Sequence, residues 1–379
     1  MPDPAVLDGP QELTAEWVTQ ALREADALSD GGAVSAISWE PIGDGYYGVV
    51  VRIHLDRGAV AAGAPSTVIG KFSSSTALTR ERAGVLRFYA NEVGFYRDIT
   101  GTDGRGAGMP VPACFHAAYD RESAGSTLLL EDVDGEVGDH VEGCTPEQVE
   151  QVVRCYAACH ARWWEAPDLD EYGWLAIDPA RAAQDRQTAY DRSLERALEL
   201  SEPLAGPQFS ATMRRTQPHV ASLTMAVRES PRTFCHGDAH AANVFFPRAG
   251  ALSPERLVIC DWQLAVAGLG TSDIARFPMV SMAPDQRRAA APGLAEVYLS
   301  ELKAGGIESY STETYDRDFR VCTLFHLSSF MIAFGTVDTS SESGRALLSS
   351  IVPRLAAALE DLGDVADILD GLDSPSDGP

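Results

Sequence analysis

In the stretch FCHGDAHAANVFF (residues 234–246), the side chains of His236, Asp238, His240 and Asn243 fall within eight residues. Two chemistries suit such a set. His236, Asp238 and His240 alternate along the chain, and alternate residues of an extended segment share one face, so they could hold a metal ion for hydrolysis. An open metal site needs further ligands, and the remaining histidines, His54, His116, His140, His160, His219 and His326, are not clustered in sequence. Phosphoryl transfer draws on other members. Asp238 precedes Asn243 by five positions, and Asp261 follows the apolar run LVIC. Magnesium takes hard oxygen ligands; one carboxylate and one amide carbonyl supply them while water and phosphate oxygens complete the shell. Asn243 and Asp261 fit those roles, which leaves Asp238 to accept the proton of an attacking hydroxyl.

These residues need elements to position them. Residues 244–246 and 257–263 are predicted as short strands, joined by a turn containing Pro247 and Gly250. A hairpin puts the loop before its first strand and the residue after its second at one end, so Asp238, Asn243 and Asp261 are expected to meet. The N-terminal part offers what nucleotide phosphates require, a lysine held by a carboxylate. Lys71 lies in TVIGKF, a predicted strand over 67–72, and Glu92 lies in a helix predicted over 86–99. Gly43, Gly45 and Gly48 precede a predicted strand over 49–55. They could form a loop over the phosphates, although glycines also mark plain hairpin turns.

A helix over 14–28 and strands over 114–119 and 126–130 complete a half rich in strands. After Gly135 the pattern turns helical. Thr145, Pro146 and Gln148 form a capping-box start, and further helices are predicted near 180–200, 210–229, 284–303, 315–334 and 343–362. Residues 364–379 are acidic and turn-rich and are expected to fray. The predicted architecture is α+β and bilobal. A small antiparallel-sheet N-lobe (1–133) binds nucleotide, and a larger helical C-lobe (134–379) carries the catalytic loop and substrate site.

The order D-x-x-x-x-N followed by D is the spacing of the protein-kinase catalytic loop and metal-binding aspartate. HGDAHAAN (236–243) followed by ICDWQ (259–263) resembles the motifs of the aminoglycoside phosphotransferase and choline kinase-like superfamily. Gln263 after Trp262 brings it nearest to the ecdysteroid-kinase-like branch. Gly237 stands where protein kinases carry arginine, which argues for a small-molecule acceptor. The resemblance covers about residues 40 to 280 and implies a protein-kinase-like fold, Mg2+, ATP or GTP as co-substrate, and a small hydroxylated acceptor. It further implies that Asp273, in GLGTSD, braces the loop and that backbone groups near Glu131 and Val133 meet adenine. The glycine-rich loop, Lys71 and Glu92 take their roles at the phosphates. Two other readings stand beside it: a nucleotide-binding pseudokinase without turnover, and the metal-dependent hydrolase.

Charge bounds the partners. Thirty basic against fifty-five acidic residues give a net charge of −25, which repels nucleic acid and anionic membrane surfaces and suits a cationic acceptor. With no basic-then-apolar start and no run of eighteen apolar residues, a soluble cytoplasmic protein is expected. The seven cysteines are odd in number and widely spread, so they are expected to be reduced. Cys155, Cys159 and His160 lack a second ligand pair for zinc.

Overall fold

The structure is a computed structural model that describes residues 6–29, 31–43, 47–56, 65–100, 106–229, 231–248 and 257–373. Its chain divides into two compact units. The first comprises Met1–Glu136, Tyr172–Leu175 and Pro247–Ala265; the second comprises Val137–Glu171, Ala176–Phe246 and Val266–Pro379. Among the described residues no helix is long and apolar enough to cross a membrane. None of the seven cysteines is in a disulfide.

The first unit is built on an antiparallel sheet of β1 (Ala36–Pro41), β2 (Gly48–Asp56), β3 (Thr67–Ser73), β4 (Cys114–Asp120) and β5 (Gly125–Glu131), in the order β1-β2-β3-β5-β4. Alternation along β2 turns Val51, Ile53 and Leu55 inward. They meet Val18, Ala21 and Leu22 of helix α1 (Ala15–Glu24), together with Val68, Phe72 and Leu129. Each such buried aliphatic side chain is worth about 1.5–3 kcal/mol. Thr14 caps α1 by accepting from the Trp17 amide at 3.1 Å. The helix ends at Glu24, short of the predicted Leu28, because Asp26 adopts a left-handed φ of 55°. The edge strand β1 escapes sequence prediction because it is short and mostly exposed, with only Ile37 and Trp39 alternating as large apolar residues.

The helix predicted over 86–99 is present from Phe88 and is preceded by a second, unpredicted helix. The chain forms α2 (Ala77–Val85), reverses at Arg87 (φ 63°), forms α3 (Phe88–Gly94) and finishes in a π-type turn, Phe95–Ile99. Arg87 is held by the carbonyls of Gly173 and Trp174, each at 2.7 Å, a contact distant in sequence. Leu78, Val85 and Leu86 are exposed, so α2 carries no clean apolar stripe to reveal it.

The second unit is largely helical: α4 (Pro146–Arg162), α5 (Pro179–Thr216), α6 (Val220–Ala226), α7 (Thr271–Ser281), α8 (Pro284–Ala304), α9 (Thr312–Phe334), α10 (Glu342–Leu362) and α11 (Ala366–Asp373). The predicted capping box opens α4: Thr145 Oγ1 accepts from Gln148 N at 3.3 Å, and Gln148 Oε1 accepts from Thr145 N at 2.9 Å. The separate helices predicted near 180–200 and 210–229 are both present, one on each side of a break inside α5, with α6 continuing the second. Only Gly206, between Pro203 and Pro207, leaves helical geometry. Tyr190 and Leu194 of α5 pack with Leu324, Leu327 and Met331 of α9 and Val352 and Leu355 of α10.

The expected frayed tail is also corrected. Val365, Ile368 and Leu369 are buried in this same core, so α11 is anchored as far as Asp373, and residues 374–379 lie outside the described chain. Asp367 and Asp370 face outward, Asp367 to Arg320 at 2.6 Å. The strand predicted over 257–263 shrinks to Val258–Ile259 because Asp261 turns into the left-handed region.

Candidate active site

Lys71 sits in β3, paired across the sheet with Val50 of β2 and Leu128 of β5. Its Nζ donates to Glu92 Oε1 of α3 at 2.5 Å and lies 3.8 Å from Asp261 Oδ1. Burial works against the ammonium, but Glu92 and Asp261 outweigh it and raise Lys71 above the ordinary lysine range. The segment carrying Asp261 is fixed by α3 and the turn after it. The Trp262 ring is fully buried and stacks on Phe95 with centroids 3.9 Å apart, and Asn91 Nδ2 donates to the Gln263 carbonyl at 3.1 Å. Asp261 itself holds φ 66°, costly for a residue with a side chain, and its Oδ1 is buried without a hydrogen-bond partner. Two carboxylates thus face one ammonium, with an orphaned hard oxygen among them. That donor chemistry fits a divalent cation.

The other sequence-selected residues of this unit are less uniform. Gly43 has φ 71°, which favours glycine, and Gly45 lies outside the described residues. Gly48 opens β2 rather than lying in a loop, and a side chain there would meet the Phe72 carbonyl oxygen at 2.6 Å. Glu131 commits its N–H to the Ala113 carbonyl at 2.8 Å, and its carboxylate accepts from the Ala113 amide at 3.0 Å. Val133 follows the end of β5 in irregular backbone.

In the second unit the loop 236–243 follows the strand Thr233–Cys235, which pairs with Val266–Gly268. Asp273 of α7 accepts from the amides of His236 at 2.7 Å and Gly237 at 3.0 Å. Gly237 adopts φ 79°, where most other residues would be strained. His236 Nδ1 accepts from the Asp238 amide at 3.2 Å, and Asn243 Nδ2 donates to the Asp238 carbonyl at 3.0 Å. The loop is therefore pinned on both sides of Asp238, and the Asn243 amide nitrogen is committed to the Asp238 carbonyl, so that a metal-ligand role would fall to its oxygen.

The Asp238 carboxylate has two side-chain neighbours that sequence reasoning did not supply as a set. Its Oδ1 accepts from Arg276 Nη2 of α7, and its Oδ2 lies 3.4 Å from His240 Nε2. Burial favours the neutral acid, but Arg276 and then His240 overcome it and hold Asp238 well below the usual carboxylate range. His240 also packs on His140, with centroids 4.5 Å apart, and burial first and His240 second push His140 down to about 4. Arg276 was missed, but a signal existed. It follows Asp273 by three positions on one helix, so both must face the loop.

Among the described residues the one grouping of three convergent metal-type ligands is His160, Cys235 and Asp273, without Asp238. It is a hydrogen-bonded core cluster. Burial pushes the Cys235 thiol well up, its Sγ lies 3.4 Å from the Leu269 carbonyl, and His160 also meets Tyr298 Oη at 3.2 Å. Asp238, His236 and His240 thus do not assemble into the triplet the hydrolase reading requires.

Residues 42–305 match the family model of the ecdysteroid kinase-like family. The chain belongs to that family. The family motifs read in the sequence, from Gly43 to Asp273, all fall inside the matched span. No curated protein matches. Among solved structures, choline kinase from Cryptosporidium parvum Iowa II is similar at 10% identity and a TM-score of 0.52, covering 94% of this chain and 97% of that one. A protein of Ralstonia eutropha JMP134, provisionally described as an aminoglycoside phosphotransferase, is similar at 16% identity and a TM-score of 0.50, covering 92% and 98%. At these identities the likeness establishes a shared kinase-like fold. The ecdysteroid kinase-like chain therefore has the α+β, protein-kinase-like architecture expected from its sequence.

Proposed function

We propose that this ecdysteroid kinase-like chain is an O-phosphotransferase that moves the γ-phosphoryl group of ATP or GTP, with magnesium, to a hydroxyl of a small molecule. The observation that carries the reading is the Lys71–Glu92 ion pair beside the orphaned Asp261 oxygen. A lysine fixed by a buried carboxylate is what triphosphate oxygens require, and a second carboxylate is what magnesium requires. In this reading Lys71 holds the α- and β-phosphates. Gly43, Gly45 and Gly48 belong to the segment covering them, and backbone near Glu131 and Val133 receives the base. Asn243 and Asp261 keep the ligand roles assigned from the sequence, each supported by the geometry of its own unit.

Asp238 orients the acceptor hydroxyl. Its depressed pKa makes it a weak base, so it serves by accepting the hydroxyl's hydrogen bond and stabilising the proton as it leaves, rather than by removing it beforehand. A nucleotide-consumption screen over hydroxylated metabolites and antibiotics tests the reading, with mass spectrometry following a gain of about 80 Da, one phosphoryl group. Magnesium-dependent gain on at least one acceptor is expected. Tight nucleotide binding with no acceptor consumed would instead favour the pseudokinase.

A further inference from the structure

In the second unit Arg186 on α5 feels two other guanidiniums, Arg228 just beyond α6 and Arg276 on α7. Arg186 lies over the Phe325 ring, 4.1 Å from its centroid, and donates to Ser329 Oγ and, at 3.5 Å, to the Phe325 carbonyl. Arg276 lies over Phe330 at 4.9 Å. Phe325, Ser329 and Phe330 belong to one short stretch of α9, so this stretch carries both arginines. The Nε atoms of Arg186, Arg228 and Arg276 are all buried without a hydrogen-bond partner. His326, on the same stretch, is pushed down to about 3 by burial and then by Arg276, so it adds no balancing chemistry at neutral pH. Burial, then Arg228 and Arg276, lower Arg186 to about 9, which places each of the other two within electrostatic reach of Arg186.

Among the described residues, Asp238 is the one carboxylate ion-paired with any of the three. Three positive charges thus have one ion-paired carboxylate among them, inside a chain whose net charge is −25. Arginines with a structural role are satisfied differently here. Arg354 is buried and directs its guanidinium to the carbonyls of His140, Val141 and Val280 at 2.6–2.7 Å. Arg287 and Arg320 pair with Asp361 and Asp367. A buried guanidinium without a counter-charge is costly, and its planar donor array matches carboxylate and phosphate.

We infer that the hydroxylated acceptor carries its own anionic group, a carboxylate or a phosphate ester, received by the positive cluster of Arg186, Arg228 and Arg276 beside Asp238. This rests on the phosphotransferase reading and narrows it, away from the cationic acceptors that bulk acidity alone suggests.

Two measurements on the full chain separate the inference from that reading. Calorimetry without nucleotide uses glycerate, glycerol 3-phosphate, glycerol and ethanolamine as probes. The two anions are expected to bind, glycerol and ethanolamine are not, and Arg186→Gln should weaken anion binding about 10- to 100-fold, the span of one charge-assisted hydrogen bond. No anion binding by the unaltered chain overturns the inference. The second measurement is nucleotide consumption over acceptors matched as acid, methyl ester and amine. Consumption should favour the acids. Arg186→Gln should raise the acceptor KM over a similar range, Arg186→Lys should restore part of it, and the nucleotide KM should stay put. Consumption confined to esters or amines overturns the anionic acceptor while leaving phosphotransfer intact. Anion binding with no consumption of any acceptor supports the anion site and overturns phosphotransfer. If Arg186→Gln lowers the melting temperature and leaves the acceptor KM unchanged, the cluster is structural and the inference fails. Arg228→Gln repeats the KM reading if that variant does not fold.

Discussion

The two units hold opposite charge imbalances. In the first, Lys71 faces both Glu92 and Asp261, so one cation meets two carboxylates and an Asp261 oxygen is left without a hydrogen-bond partner. In the second, Asp238 is, among the described residues, the one carboxylate ion-paired with Arg276, Arg186 or Arg228. A polar site that is electrically incomplete in its buried part invites the missing charge. The first imbalance invites a cation and the second an anion. The net charge of −25 predicts neither, because bulk acidity reports the field around a protein and not the balance inside a cluster.

The largest expected effect breaks the comparison at the second unit. Asp238→Asn should lower turnover about a thousandfold, the scale of a lost positioning or proton-accepting group. Nucleotide affinity, which the proposal places on first-unit residues, should hardly change. Single-turnover kinetics alongside a nucleotide titration would check both. An equal loss of nucleotide binding would show that the two imbalances are not separate in function.

Asp261→Asn attacks the first imbalance and should split activity from stability. Turnover at a fixed magnesium concentration should fall about a hundredfold, as when one charge-stabilising group is removed. Stability should rise by about 1 kcal/mol, because a carboxylate leaves a cluster already holding Glu92. Thermal melts with and without magnesium decide it. A variant that melts lower than the unaltered chain without magnesium would mean that Asp261 is balanced after all.

Acid and alkali should find different units. His140 and His326 titrate near 4 and 3 in the folded chain, against about 6.5 unfolded. Between those values the unfolded chain binds more protons, so their contribution is complete above about pH 6.5 and is lost as the pH falls toward 4. His140 alone would remove roughly 3 kcal/mol by pH 4. Lys71 is raised, so its contribution is present below the unfolded lysine value and is lost as the pH rises through the folded one. Hydrogen exchange followed separately in the two units should show the second loosening first in acid and the first in strong alkali. His326→Gln should flatten the acid limb.

Sequence gave access to the two units to different degrees. Lys71, Glu92, Asp238, Asn243 and Asp261 were legible because each stands in a short motif whose spacing follows from its element: a strand, a helix, a tight loop. The helices with strong caps, such as the one after Thr145, were legible for the same local reason. What escaped depends on contacts distant in sequence. The reversal at Arg87 answers to carbonyls at Gly173 and Trp174, and α11 exists because Val365 and Ile368 find a core built by α5, α9 and α10. Arg186 and Arg276 stand in no such motif. Their meaning came from α9, whose rings lie under both.

Those rings supply the finest test. Phe330 is half-buried beneath Arg276 and also meets Phe334, with centroids 5.8 Å apart. Phe330→Leu keeps an apolar side chain but removes the face on which the cation rests, worth about 1 kcal/mol in a partly desolvated site. Stability should fall by about that amount, and the acceptor KM should rise a few-fold because Arg276 is held less firmly beside Asp238. Phe325→Leu, under the closer Arg186, should act in the same direction and more strongly. The nucleotide KM serves as the internal standard, since neither ring belongs to the unit that holds Lys71. If both variants lose stability while the acceptor KM stays fixed, the rings are packing alone and the positive imbalance does not bear on the acceptor. A KM effect ordered by ring distance, 4.1 Å before 4.9 Å, would tie the aromatic face of α9 to recognition.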